Sequence, residues 1–129
     1  MKGGLVNHRS NVVDLKAFVP AKDFAVSRRF YADLGFTENW ASEQVAELQI
    51  GSFRFLLQDY YVQQFAENFM MHLMVDDADV WWQHVEGTKL AEKYPGIMAK
   101  PPAVQPWGLR VLYLSDPTGV LWHIADLRT

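Results

Sequence analysis

Two apolar runs near the C-terminal end of the chain, 109–114 and 120–125, flank Asp116-Pro117-Thr118-Gly119. An aspartate that can accept from the turn backbone, a proline that presets φ and a glycine tolerant of positive φ predict a β-hairpin here. A period of two also runs through 12–19. It places Asp14, Lys16 and Phe18 on one face and Leu15, Ala17 and Val19 on the other, and Pro20 is expected to end the strand. Beyond Asp23 the period changes. Val26, Phe30 and Leu34 recur every fourth residue with Tyr31 beside them, which predicts a helix over 23–34 capped by Asp23 and closed by Gly35. Short strands follow at 36–40, 45–50 and 53–58, with Gly51-Ser52 as a tight turn.

The pattern then starts again. After a polar-aromatic connector, 59–68, a strand at 69–75 sets Met70, His72 and Met74 on one face and Met71, Leu73 and Val75 on the other. Asp77 or Asp79 opens a helix carrying Trp81 and Val85 that ends near Gly87 or a little later. A proline- and glycine-rich loop, 94–106, with room for one strand, leads to the closing hairpin. Val19-Pro-Ala-Lys-Asp23 corresponds to Val75-Asp-Asp-Ala-Asp79, 56 positions on, and Gly51-Ser-Phe-Arg-Phe55 to Gly119-Val-Leu-Trp-His123, 68 positions on. The second copy is therefore longer, and its extra length falls in the proline loop. The expected fold class is α+β: one domain over 1–129 made of two βαβββ modules, about 12–58 and 69–127. Their curved mixed sheets and outer helices would enclose a cleft.

Composition narrows the function. A chain of 129 residues, 50% hydrophobic and 21% charged, suits one globular domain. It has no cysteine, which removes disulfides, thiolate nucleophiles and cysteine metal sites. A formal charge of −3 argues against a nucleic-acid partner, and no apolar run approaches the ~20 residues of a membrane span. Residues 1–11 lack the apolar core of a secretory signal, so a cytoplasmic location is expected. They read as a loose terminus or an arm against a partner subunit. No phosphate-cradling glycine loop, nucleophile elbow or H-E-x-x-H is present. Five tryptophans are mostly core mass: Trp40, Trp81, Trp82 and Trp122 read as packing, with Trp122 on the helix side of its strand.

Three motifs in order carry a resemblance. They are Val19, Asp23 and Phe24 followed by F-Y-x-x-L-G-F (Phe30, Tyr31, Leu34, Gly35, Phe36); Val75-Asp76-Asp77; and Trp107-Gly108 ahead of D-P-T-G. Together they resemble the vicinal oxygen chelate superfamily, which includes glyoxalases, extradiol dioxygenases and bleomycin resistance proteins, and look nearest to the last of these. The resemblance spans about 14–127. It implies a homodimer with two clefts at the subunit contact and, in the chelating members, metal ligands on cleft-facing positions of the first and last strand of each module. Those positions fall here on Asp14, Met70, Phe55 or Leu57, and His123. Phenylalanine and leucine cannot ligate, and methionine suits only soft ions. The best divalent site the chain offers is His72 and His123 with Glu47 or Asp14, for Zn, Ni, Mn or Fe.

The sequence therefore supports a ligand cleft that works without a cofactor, lined by Phe18, Phe55, Met70 and Met74, walled by Trp107 and oriented by Lys16, His72 or His123. Arg110 is expected inside it or toward solvent. Lys16 and Arg110 should each meet a carboxylate, because an isolated buried charge is costly. The first expectation is a binding protein that sequesters a small, partly aromatic molecule, with antibiotic resistance as the family precedent. A metal-dependent lyase, isomerase or dioxygenase is the second, and a scaffold whose cleft is filled by its own side chains is the third.

Overall fold

The computed structural model describes residues 11–128, so the expected N-terminal arm, 1–11, lies almost wholly outside the described residues. In chain order the elements are β1 (Phe18–Ala21), α1 (Phe24–Leu34), β2 (Thr37–Ala41), β3 (Val45–Ile50), β4 (Phe53–Asp59), α2 (Gln63–Glu67), β5 (Met70–Met74), α3 (Ala78–Gly87), α4 (Leu90–Lys93), β6 (Ala99–Val104), β7 (Arg110–Ser115) and β8 (Leu121–Asp126). Two four-stranded sheets result, ordered β1-β4-β3-β2 and β5-β8-β7-β6. In each, the first strand runs parallel to the last strand of its own module while the other pairs are antiparallel. The βαβββ unit thus occurs twice in one α+β domain. Short helix α2 lies in the connector, and α4 takes up part of the extra length of the second module.

Local chemistry sets the boundaries. Asp23 caps α1 by accepting from the Val26 N–H at 3.1 Å, and Gly35 ends it with φ at +124°. Asp77 caps α3 through the Asp79 N–H at 2.9 Å, while buried Asp126 at the end of β8 accepts from the Ala78 N–H at 2.6 Å. In the closing turn Asp116 Oδ1 accepts from the N–H groups of Thr118, Gly119 and Val120, each at 2.9 Å. One side-chain oxygen therefore organises the whole reversal.

The strand expected at 12–19 is displaced: regular pairing covers only Phe18–Ala21, and Pro20 lies within it rather than ending it. β1 is an edge strand. Ala17 offers its carbonyl to Leu56, so by alternation Val19 and Ala21 also face β4 while Phe18 and Pro20 turn outward. The N–H that proline lacks would have had no partner. At the edge of the second sheet, β6 carries Pro101-Pro102 inside a register shift between Lys100 and Ala103.

The helix-facing sides of both sheets share one core. Tyr31, Phe36 and Phe55 from the first module meet Trp122 from the second, with all ring centroids 5.2–5.7 Å apart. Edge-to-face and tilted rings at this spacing match the aromatic quadrupoles as well as filling space. Trp40, expected to pack, is instead about half exposed on outer strand β2.

Candidate functional site

The register defines two faces on each sheet. Beneath the helices of the second sheet lie Met71, Leu73, Leu112, Leu114, Trp122 and Ile124. The opposite, open face carries Met70, His72 and Met74 on β5, with His123 and Tyr113 in line beside His72. Met70 is 62% exposed, and the His72 and His123 rings lie 6.1 Å apart. Tyr113, which sequence reasoning passed over, meets His123 edge-on at 4.8 Å. Its only sequence signal was sharing parity with Val111 on β7. Partial burial, and then the neighbouring His72, hold the His123 imidazole below its ordinary pKa and favour the neutral ring.

The open face of the first sheet is ionic. Lys16 hydrogen-bonds Glu47 and lies 3.4 Å from Asp14, which also pairs with Arg54 at 3.1 Å. Asn39 donates to the second Glu47 oxygen at 2.8 Å. The Lys16 hydrogen bond, helped by Asn39, pulls the Glu47 carboxyl below its usual value, and the Glu47 contact raises the Lys16 ammonium. Asp14 is lowered first by the Leu15 N–H and further by Arg54 and Lys16. Lys16 thus meets its carboxylate as expected. Phe18 stands on the outer edge of this sheet, half exposed.

Two expected cleft residues lie on the helix side of their sheets rather than on the open face, although Phe55 still reaches the seam cavity described below. Phe55 is 2% exposed and packs on the helix side, paired with Leu48; the open-face positions of β4 are Arg54, Leu56 and Gln58. Leu57 is buried on the helix side too. The expected register was one residue out of phase, because the repeat equated Phe55 with His123, which stands on the open face. Arg110 is also on the helix side, opposite Asp126, where its guanidinium grips Asp79 of α3 at 2.6 Å. It meets a carboxylate as expected, but one belonging to the fold.

The structure does not assemble the divalent set His72, His123, Glu47 and Asp14. Glu47 lies on β3 of the other sheet and Asp14 just ahead of β1, both already matched by Lys16 or Arg54, and no cluster of three or more His, Cys, Asp or Glu side chains forms among the described residues. Trp107 sits on the β6–β7 turn, 58% exposed, beyond the row Ala103, Val111, Ala125 and Met74.

A cavity of about 350 Å³ lies at the seam of the modules, where a cleft between them is expected. Phe36, Ile50, Phe53 and Phe55 line it from the first module, and Met71, Leu73, Met74 and Trp122 from the second. Arg54 and His72 are its charged and titratable members. An apolar chamber with a few convergent polar groups is the usual form of a small-molecule site. Through His72 and Met74, which belong to both, it borders the open face of β5.

Sequence and structure comparisons agree with this architecture. The family model described as Glyoxalase/Bleomycin resistance protein/Dioxygenase superfamily matches residues 12–124. No curated protein sequence matches the chain. Among solved structures, a bleomycin-binding protein complexed with bleomycin superposes with a TM-score of 0.72 at 24% identity, covering 89% of this chain and 98% of its own. A bleomycin resistance determinant encoded on transposon Tn5 gives 0.73 at 24% identity, covering 91% and 100%. A lactoylglutathione lyase from Agrobacterium tumefaciens gives 0.66 at 18% identity, covering 90% and 95%.

Proposed function

The chain belongs to the glyoxalase/bleomycin resistance protein/dioxygenase superfamily, and on that premise we propose that it is a small-molecule binding protein of the bleomycin resistance type. It captures a partly aromatic ligand without a divalent metal. The observation that carries this reading is the seam cavity, whose walls are aromatic and aliphatic and whose polar groups are confined to Arg54 and His72. Apolar burial and stacking supply affinity, and His72 and Arg54 fix orientation. The bleomycin-binding and bleomycin resistance relatives support the ligand class. Antibiotic sequestration in the cytoplasm, by a homodimer whose second copy covers the exposed apolar side chains Phe18, Met70 and Met74, completes the reading.

Calorimetric titration with bleomycin and with a panel of planar aromatic compounds tests it. Saturable binding by at least one compound, weakened at least tenfold by Leu73→Phe, which fills the chamber, is expected. No saturable binding by any of them overturns the reading. A light-scattering mass equal to one chain removes the dimer from it.

The adjacency of His72 and His123, together with the lyase relative, favours a second reading as a metal-dependent lyase, isomerase or dioxygenase. Stoichiometric Zn, Ni, Mn or Fe in protein purified without chelator, lost in a His72→Ala/His123→Ala variant, would establish it. The seam cavity weighs against a scaffold with a self-filled cleft.

A further inference from the structure

Four consecutive residues of β5, Met71, His72, Leu73 and Met74, line the seam cavity. Side chains alternate between the two faces of a strand, so a space that meets four in a row runs along the strand's margin rather than on one face. β5 is an edge strand, paired only with β8. At its two ends the Phe69 carbonyl accepts from the Leu121 N–H at 3.1 Å, and the Val75 N–H donates to the Ala125 carbonyl at 2.8 Å. By alternation Met71 and Leu73 also turn their main-chain groups to β8, while those of His72 and Met74 point the other way, along the cavity. No strand pairs with them on that side among the described residues. Unlike edge strands β1 and β6, β5 holds no proline, so its outward donors are all in place.

The facing wall repeats the arrangement. Phe53, Arg54 and Phe55 are likewise consecutive, and β1 begins to pair with β4 only at Leu56, so Arg54 lies past the end of that ladder. A strand margin offers an N–H and a carbonyl on every second residue, and an aromatic ring alone satisfies neither. An extended chain of secondary amides satisfies both, and its side chains then fall among Phe36, Phe53 and Trp122. The volume stands at the low end of the ~300–1,000 Å³ of ligand sites, so the chain must be short. We propose that the ligand is peptide-like: a short, extended molecule with an aromatic side chain, whose amides add to β5 at His72 and Met74 as one more strand. This rests on the reading of the seam cavity as a ligand site and names the chemistry that fills it.

Calorimetric titration of the full chain tests it with three probes: N-acetyl-phenylalanyl-alanine amide, its analogue methylated at both backbone nitrogens, and amide-free naphthalenes of similar size. The dipeptide should bind saturably, and the methylated analogue at least tenfold more weakly. His72→Ala removes the imidazole but keeps the outward N–H, whereas His72→Pro removes both and leaves the bonds to β8 whole. His72→Pro should therefore bind the dipeptide at least fivefold more weakly than His72→Ala; if the proline variant does not fold, the methylated analogue decides alone. The inference falls if that analogue binds as tightly as the dipeptide, if folded His72→Pro matches His72→Ala, or if the naphthalenes bind and the dipeptide does not. In each of those cases the cavity still takes an organic ligand. If no probe binds, the ligand site itself is refuted and the inference goes with it.

Discussion

The Tyr31 hydroxyl of the first module donates to Asp116 Oδ2 of the second at 2.6 Å, and both residues are buried. The same hydroxyl accepts from Trp122 Nε1 at 2.9 Å, and Asp116 Oδ1 holds the three amides of the closing turn. Burial, and then the adjacent carboxylate, push the phenol well above its ordinary pKa, so it stays a donor at every working pH. Close by, Thr118 accepts from the Lys22 N–H at 3.0 Å and lies 3.3 Å from Ser27 Oγ. The closing hairpin is thereby fastened to α1 and to the start of the first module.

Removing that hydroxyl leaves a buried carboxylate and an indole N–H each short of a partner while keeping the ring. Tyr31→Phe should cost about 1–3 kcal/mol. Urea unfolding followed by far-UV circular dichroism measures it, and a loss indistinguishable from zero would show that the hydroxyl carries no stability.

Phe55 is a core residue, in contact with Tyr31, Phe36 and Trp122. Phe55→Ala should therefore destabilise by about 3–5 kcal/mol, the range for deleting a buried aromatic ring. A variant that unfolds at nearly the wild-type urea concentration would place the ring outside the core.

Trp107 presents the opposite case. Its exposure on the β6–β7 turn predicts that Trp107→Ala changes stability by less than about 0.5 kcal/mol. Any organic ligand that reaches past the Met74 end of the open face should bind the variant more weakly in a calorimetric titration. Unchanged affinity would exclude Trp107 from the site.

Acid should loosen the first sheet through Glu47. Its carboxyl is lowered in the folded chain by Lys16 and Asn39, so its contribution is fully present above the ordinary value of 4.5 and is lost as pH falls through the folded value. The raised Lys16 ammonium gives its share up only above its own ordinary value of 10.5, so it does not confuse an acid titration. Stability measured from pH 6 to 3 should fall less steeply in Glu47→Gln than in the wild type. Parallel slopes would rule the pair out as an acid-sensitive contact.

Local chemistry was readable from the sequence wherever it decides structure. Asp23 and Gly35 bound α1, Asp116 and Gly119 make the last turn, and β3 falls on 45–50 ahead of the Gly51-Ser52 turn as expected. Parity failed where local pattern does not decide it. The repeat set Phe55 against open-face His123, one residue out of phase, and pairing with β3 puts Phe55 and Leu57 on the helix side and Arg54, Leu56 and Gln58 on the open face. Arg110 looked like a cleft charge because Asp79, the partner that draws it under α3, is distant in the chain. A cleft between the modules was legible in the repeat, but Phe36, Ile50, Phe53 and Met71 were not among its expected lining residues. They line it because the β3–β4 hairpin tip and β5 meet across the seam, a contact between residues distant in the chain.

The prolines at the sheet margins set how copies of this chain can meet. Pro20 on β1 and Pro101-Pro102 on β6 deny an incoming strand the amide hydrogens it needs along those borders. Neither border can template a neighbour's backbone, so crowded copies that touch there do so through side chains, and fibril-like growth from those two edges is suppressed.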